Sequence, residues 1–243
     1  MKPIALLAAL LIALMAGNAP SARAAIDDDA KAALEAFERQ DFKTAVDLLD
    51  KVLADKSLPA QARAAVLVYR GGAKYGLGDA EAAIADFQAA AAADPQSIDA
   101  QINLVIVFEE QRKYGPAVQH HRRVLELVKA RPLTPEGIGV QNKLAWLLAT
   151  VPDDTVRDGK AAVALATEAV SLVTTNWPDA DKTLVANTYD SLAAAYAEAK
   201  RFKEAVATVE KAIAMLDANA AGLKAELQEH LASYQAGKPW RLK

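Results

Sequence analysis

The sequence predicts an all-α chain of stacked helical hairpins, and three observations carry that expectation. One apolar pattern occurs five times: Phe42, Ala45, Val46, Leu49, Val52; Ala80, Ala83, Ile84, Phe87, Ala90; Tyr114, Ala117, Val118, His121, Val124; Gly159, Ala162, Val163, Ala166, Ala169; and Phe202, Ala205, Val206, Val209, Ala212. Each set has offsets of 0, 3, 4, 7 and 10, which places its members on one face of a helix. Ala holds the second place in every copy and is small enough to let that helix approach a neighbour closely. The second observation is composition: hydrophobic residues, swollen by Ala, make up 53% of the 243, whereas aromatics are 6%. That balance suits small-residue helix packing better than a sheet core of β-branched and aromatic side chains. Third, most of the 10 Pro and 11 Gly fall between the periodic segments, as helix punctuation does.

Residues 1–24 stand apart from the repeats. Lys2 precedes an unbroken apolar run from Ile4 to Ala16; Gly17, Asn18 and Pro20 break it, and Ala22-Arg23-Ala24 puts small residues at both cleavage-reading positions. The thirteen residues of that run fall short of the roughly 20 a membrane-spanning helix needs. The expectation is a secretory signal peptide cut after Ala24, giving a periplasmic or secreted product. No Cys follows the run to accept a lipid, so no membrane attachment is expected after cleavage. The absence of Cys also excludes disulfides, thiol catalysis and thiolate metal sites. Without Lys2 and Arg23, 26 basic residues stand against 31 acidic ones, a formal charge of −5. A mildly acidic chain without an extended basic stretch is a poor partner for nucleic acid or an anionic membrane.

From residue 26 onward each patterned helix has a matching helix before it, clearest at Leu192-Ala193-Ala194-Ala195-Tyr196 and at Leu67 with Gly71 and Tyr75. Short polar turns such as Gln40-Asp41, Gly78-Asp79 and Lys200-Arg201 close the hairpins. The five units run at about 26–58, 62–95, 97–131, 136–175 and 183–217. Pro59, Pro116 and Pro135 sit at expected first turns, where a missing N–H is harmless. Ser57, Ser97 and Thr134 are expected helix caps. Within unit four, Asp158-Gly159 is expected to start the second helix, and Arg157 to tie the preceding loop to a neighbouring aspartate. Leu223, Leu227, Leu231 and Tyr234 give residues 218–236 one apolar face, as a capping helix needs to cover the last hairpin. Residues 237–243 follow as a basic tail.

The pairing resembles the tetratricopeptide repeat (TPR) family, whose unit is a 34-residue helix–turn–helix. The second-place alanines are separated by 38, 34, 45 and 43 residues, and Pro95, twelve places after Ala83, matches the family's closing proline. The stretch from Asn142 to Thr150 (LAWLLAT at its core), then Pro152-Asp153 and Arg157-Asp158-Gly159, is similar to the C-terminal double unit of a subgroup of bacterial exported TPR proteins. Tyr189 to Tyr196 and Gly237-Lys238-Pro239-Trp240 belong to the same likeness. The resemblance implies a right-handed superhelical solenoid whose concave groove binds a protein or extended peptide without catalysis. It places Tyr69, Tyr75, Ile102, Asn103, Ile106, Asn142, Lys143, Trp146, Asn187 and Asp190 on the first helices that line the groove. Trp146 and Tyr75 fit two roles there, as contact residues or as packing between hairpins. Asn103 and Lys143 fit two places of the family's carboxylate grip, but Val68 and Gly72 depart from it. A small ligand or glycan carried in the same groove is the alternative reading.

Little in the chain points to chemistry. His120 and His121 are adjacent, so on a helix they diverge by about 100° and make a poor metal pair. His121 takes the place of Leu49 and Phe87 in the pattern and is expected in the interior. Asp153, Asp154 and Asp158 lack the alternating Asp/Asn-Gly loop of a calcium site. No Gly-x-Ser-x-Gly elbow or phosphate-binding loop is present. No cofactor, metal or catalytic residue is expected, and no sequence feature sets the oligomeric state.

Overall fold

The computed structural model describes residues 20–242. The apolar run of the expected signal peptide lies outside the described residues, whereas its expected cleavage site at Ala24 falls within the first helix. Among the described residues the chain forms eleven α-helices and one 3₁₀ turn, with no strand. The all-α hairpin fold is therefore as the repeat predicts. The chain divides into two compact units, one ending at Gln111 and the other beginning at Arg112. That boundary divides the expected third hairpin, 97–131, between them.

The first unit holds α1 (Pro20–Glu38), α2 (Phe42–Ala54), α3 (Ala60–Gly76), α4 (Ala80–Ala93) and α5 (Ile98–Glu110). Successive helices pack on one another, and α3 also meets α1 and α5. Ala30, Ala33, Leu34, Leu49, Val52, Ala62 and Val66 form one core cluster, and Ala36, Ala45 and Ala73 a smaller one. Beside them lies a buried ionic contact. Asp86 of α4 is 4% exposed and accepts two hydrogen bonds from the Arg70 guanidinium of α3, at 2.6 and 2.8 Å. Lys74 of α3 stands 2.8 Å from the same carboxylate, and Arg70 also reaches Asp50 of α2. Two cations keep Asp86 compensated, which a buried charge requires.

The second unit holds α6 (Tyr114–Lys129), α7 (Pro135–Thr150), α8 (Gly159–Asn176), α9 (Lys182–Glu198) and α10 (Phe202–Met215). The 3₁₀ turn Ala218–Ala220 then leads into α11 (Ala221–Gln235). Helix α9 is central: it packs against α7, α8, α10 and α11. Its run from Thr188 to Ala195 is buried without interruption, because neighbours cover it on several sides.

The repeated pattern reads directly as burial. In all five copies the second, fourth and fifth places are buried, while the first place is half-buried. Four of the hairpin turns also share a backbone device. Two residues before the patterned helix, Gln40, Gly78, Arg112 and Lys200 adopt φ of +61°, +85°, +56° and +62°. At three of these turns the following N–H bonds back five residues: Asp41 to Ala36, Asp79 to Lys74, and Arg201 to Tyr196. This is the Schellman ending of a helix. Asp41 and Asp79 then cap the next helix through Thr44 N and Ala82 N, so one residue closes one helix and opens another. Arg201 cannot cap; its guanidinium lies 4.4 Å above the Tyr196 ring and pairs with Glu204 at 3.0 Å. Only Gly78 avoids the steric cost of about 1 kcal/mol that an L side chain meets in the left-handed region.

Two local expectations are corrected. Ser57 does not cap α3; its hydroxyl donates to Asp55 Oδ1 at 2.7 Å, and Pro59 holds the cap position. Ser97, Thr134 and Asp158 do cap their helices, through Ala100 N, Gly137 N and Ala161 N. Arg157 does not tie the unit-four loop to an aspartate. Its guanidinium donates to the carbonyls of Val151 and Pro152 at 2.8 and 2.7 Å and to Glu198 at 3.1 Å. Carbonyls of the inserted turn lie within its reach, whereas Asp153 accepts from the N–H and hydroxyl of Thr155.

Helix α3 approaches α4 closely at Gly71. A Cβ added at Gly71 would lie 2.6 Å from Cε1 of Phe87, whereas one at Gly139 of α7 meets nothing within 4 Å. Gly71→Ala is therefore expected to lower unfolding free energy by about 1–2 kcal/mol, overpacking outweighing helix propensity. Gly139→Ala is expected to raise it by about 0.5–1 kcal/mol. Urea denaturation checks both, and adding Phe87→Leu to Gly71→Ala should return part of the loss.

Candidate functional site

The ten residues expected to line a groove fall in two sets of five, one in each unit. In the first unit α5 turns Ala100, Gln101, Leu104, Val105, Val107 and Phe108 inward. That leaves Asp99, Ile102, Asn103, Ile106 and Glu110 on its other face, at the i, i+3, i+4, i+7, i+11 spacing of one helical stripe. Ile102 and Ile106 are each 37% exposed, one turn apart. Asn103 lies between them, its amide Nδ2 donating to Asp99 O at 2.8 Å. Tyr75 is half-buried on α3. Tyr69 is interior: its ring meets Phe37 edge-on at 5.6 Å, and its hydroxyl is buried with no hydrogen-bond partner. Burial, with Asp99 and Glu38 nearby, pushes its pKa up to about 12.

In the second unit Lys143 and Asn187 are exposed, and Asn142 is half-buried with its Oδ1 buried and unpartnered. Trp146 is half-buried against the His230 ring, centroids 5.5 Å apart, which favours its packing role. Asp190 is not at a surface at all. It lies 7% exposed inside the unit, with its two carboxylate oxygens 2.9 and 3.1 Å from Nδ1 of His230, a residue with no exposure. An ionised carboxylate only accepts, so the imidazole hydrogen sits on Nδ1. Desolvation holds the Asp190 carboxyl above the usual carboxylate range; His230 pulls it down by hydrogen bond and charge, and Glu226 adds a smaller push upward.

The cluster around this pair was only partly visible in the sequence. Leu227 and Tyr234 of α11 are buried as the apolar face predicts, but His230 occupies the same face between them. Tail residues then cover it. The Trp240 ring lies 4.4 Å from the His230 ring, and Tyr234 lies 6.4 Å away on the same helix. Leu242 N donates to Thr150 O at 2.9 Å, and Arg241 Nη1 donates to Ala149 O at 3.1 Å. Arg241 and Arg157 both pair with Glu198, which ties the tail and the unit-four loop to the end of α9. The basic tail thus folds back onto α7. With His230 fully buried, no substrate atom can meet Nε2; the pair fastens α11 to α9. Among the described residues no three His, Cys, Asp or Glu side chains gather as a metal site.

No protein-family model matches the chain, and no curated protein does either. Its fold is nevertheless similar to that of solved structures. BtubC (BKLC) from P. vanneervenii aligns at a TM-score of 0.58 and 16% identity, over 87% of this chain and 88% of that one. MamA of AMB-1 aligns at 0.57 and 17%, over 81% and 96%. A Podosopora anserina protein with nearly identical TPR-like repeats aligns at 0.55 and 18%, over 78% and 93%. At such identities the likeness is one of fold: consecutive helical hairpins of the TPR-like kind.

The pH response of the Asp190 contact is a direct check. A carboxyl whose folded pKa is raised binds its proton more tightly when folded, so its contribution to stability falls as pH rises from the ordinary value through the folded one. Asp190→Asn keeps an acceptor for His230 but carries no charge. In urea titrations from pH 3 to 7, the difference between wild type and Asp190→Asn is expected to move toward the variant above about pH 4. A difference moving toward wild type would contradict the assignment.

Proposed function

We propose that the chain is an exported, non-catalytic scaffold that binds a protein or extended peptide on its first-helix faces. The observation that carries this reading is the uncovered apolar pair on α5. Ile102 and Ile106 stand one turn apart, each 37% exposed, between acceptors of Asn103, Asp99 and Glu110. Covering the remaining exposed area of two isoleucines is worth about 1 kcal/mol each, a gain that a partner side chain collects on docking. The flanking acceptors suit the N–H groups of an extended backbone. TPR-like neighbours support a protein-interaction role. An enclosed apolar pocket around Trp146 would mark a small-ligand carrier; that indole instead lies against His230.

Export rests on Lys2, the Ile4 to Ala16 run and Ala22-Arg23-Ala24. Among the described residues no helix is long and apolar enough to cross a membrane. The mature chain is expected to begin at Ala25 in the periplasm or medium, read by N-terminal sequencing of each fraction; an N-terminus at Met1 in the cytoplasm would contradict it.

Partner binding is tested with a photocrosslinking residue placed at Glu110 on the α5 stripe or at Gln88, exposed on α4. The expected result is polypeptide adducts of reproducible mass from position 110 and none from 88. Ile102→Glu with Ile106→Glu should reduce the adducts at least about tenfold with unchanged far-UV circular dichroism. Equal adducts from both positions would contradict the assignment.

A further inference from the structure

A cavity of about 430 Å³ lies in the second unit where the chain passes from α8 into α9. This is within the size range of pockets that hold small groups. Its floor is apolar: Val173 is 1% exposed, and Trp177 and Leu184 are half-buried against a cluster of Ile138, Ala169 and Val173. The rim is of a different character. Asp179 and Asp181 are exposed, and no Lys, Arg or His is among the residues lining the cavity.

The charged groups at the rim are both carboxylates, which when ionised only accept. Asn176 donates one amide hydrogen to Leu172 O at 2.9 Å and keeps its second N–H and its carbonyl oxygen. Asp181 caps α9 with Oδ1, receiving Thr183 N at 2.8 Å and Leu184 N at 3.1 Å, so its charge is partly balanced by the helix end. Asp179 makes no hydrogen bond or ion pair with any described residue. An apolar floor, an aromatic ring and an anionic rim without a cation together fit one kind of group. It has an aliphatic stem to lie on Val173 and Leu184, and a cationic head carrying only donors to meet Asp179 and the π-system of Trp177. Acidic groups would meet Asp179 as a like charge, and wholly apolar ones would leave the rim's charges desolvated.

We infer that this cavity receives the Lys or Arg side chain of a bound polypeptide. The inference rests on the polypeptide-binding reading and adds to it a basic residue in the partner, seated at Trp177.

The test follows the indole N–H resonance of Trp177, assigned by its loss in Trp177→Phe, in the ¹⁵N-labelled full chain. Acetyl-Gly-Arg-Gly-amide is titrated beside the same peptide with neutral citrulline in place of arginine, and beside putrescine. A saturable shift is expected with the arginine peptide, weakened at least about tenfold by citrulline. Asp179→Asn should weaken it about fivefold, and since Asp179 is exposed and unpaired the variant keeps the fold, read from its unchanged amide spectrum. Three results would each overturn the inference: no saturable shift, equal binding of the citrulline peptide, or binding of putrescine alone. If adducts at Glu110 persist while this titration fails, only the cavity's assignment is lost. If the adducts themselves vanish, the polypeptide reading falls first.

Discussion

Within each unit the helices leave apolar faces that they cannot bury alone, and neighbouring helices cover them. The covering partner is close because the second place of each patterned helix is Ala, entirely buried in all five copies. A larger side chain there would push the helices apart and open gaps along the fourth and fifth places. Stability then comes from a series of neighbour contacts, of the kind that makes repeat proteins nearly one-dimensional. The arrangement is visible in each unit as the packing of consecutive helices, with α9 the most enclosed element.

A series of this kind needs an end. The last patterned helix, α10, is covered by α11, and α11 is in turn fastened by contacts that have no repeat character. Leu227 supplies ordinary apolar burial. His230 and Asp190 supply a polar link between α11 and α9, sheltered by Trp146, Tyr234 and Trp240. Arg241 and Leu242 then sew the tail to the end of α7. Burying an imidazole and a carboxylate apart is costly, so the Nδ1 contact gives the end helix one preferred seat rather than a sliding apolar contact.

What could be read from the sequence follows from what is periodic. The buried places of the five copies, the helix caps at Ser97, Thr134 and Asp158, and the apolar face of α11 all lie on regular spacings and were legible. The left-handed turns at Gln40, Arg112 and Lys200 were not, because only Gly78 carries the residue that announces such a turn. The links of Arg157 and Arg241 to Glu198, and of Leu242 to Thr150, join residues far apart in the chain and leave no local trace. For the candidate site, Ile102, Asn103 and Ile106 were placed together by the family resemblance, and they share one face of α5. The interior placement of Tyr69 and Asp190 was not legible, since both depend on which neighbour covers α3 and α9.

Native-state hydrogen exchange of Leu227→Ala tests the series of neighbour contacts most directly. Truncating this fully buried leucine should cost about 2–5 kcal/mol at the α11 contact. Amide protection is expected to fall most in α10 and α9, which touch α11, less in α8 and α7, and least in α6. An equal loss from α6 through α10, or a loss confined to α11, would contradict the account.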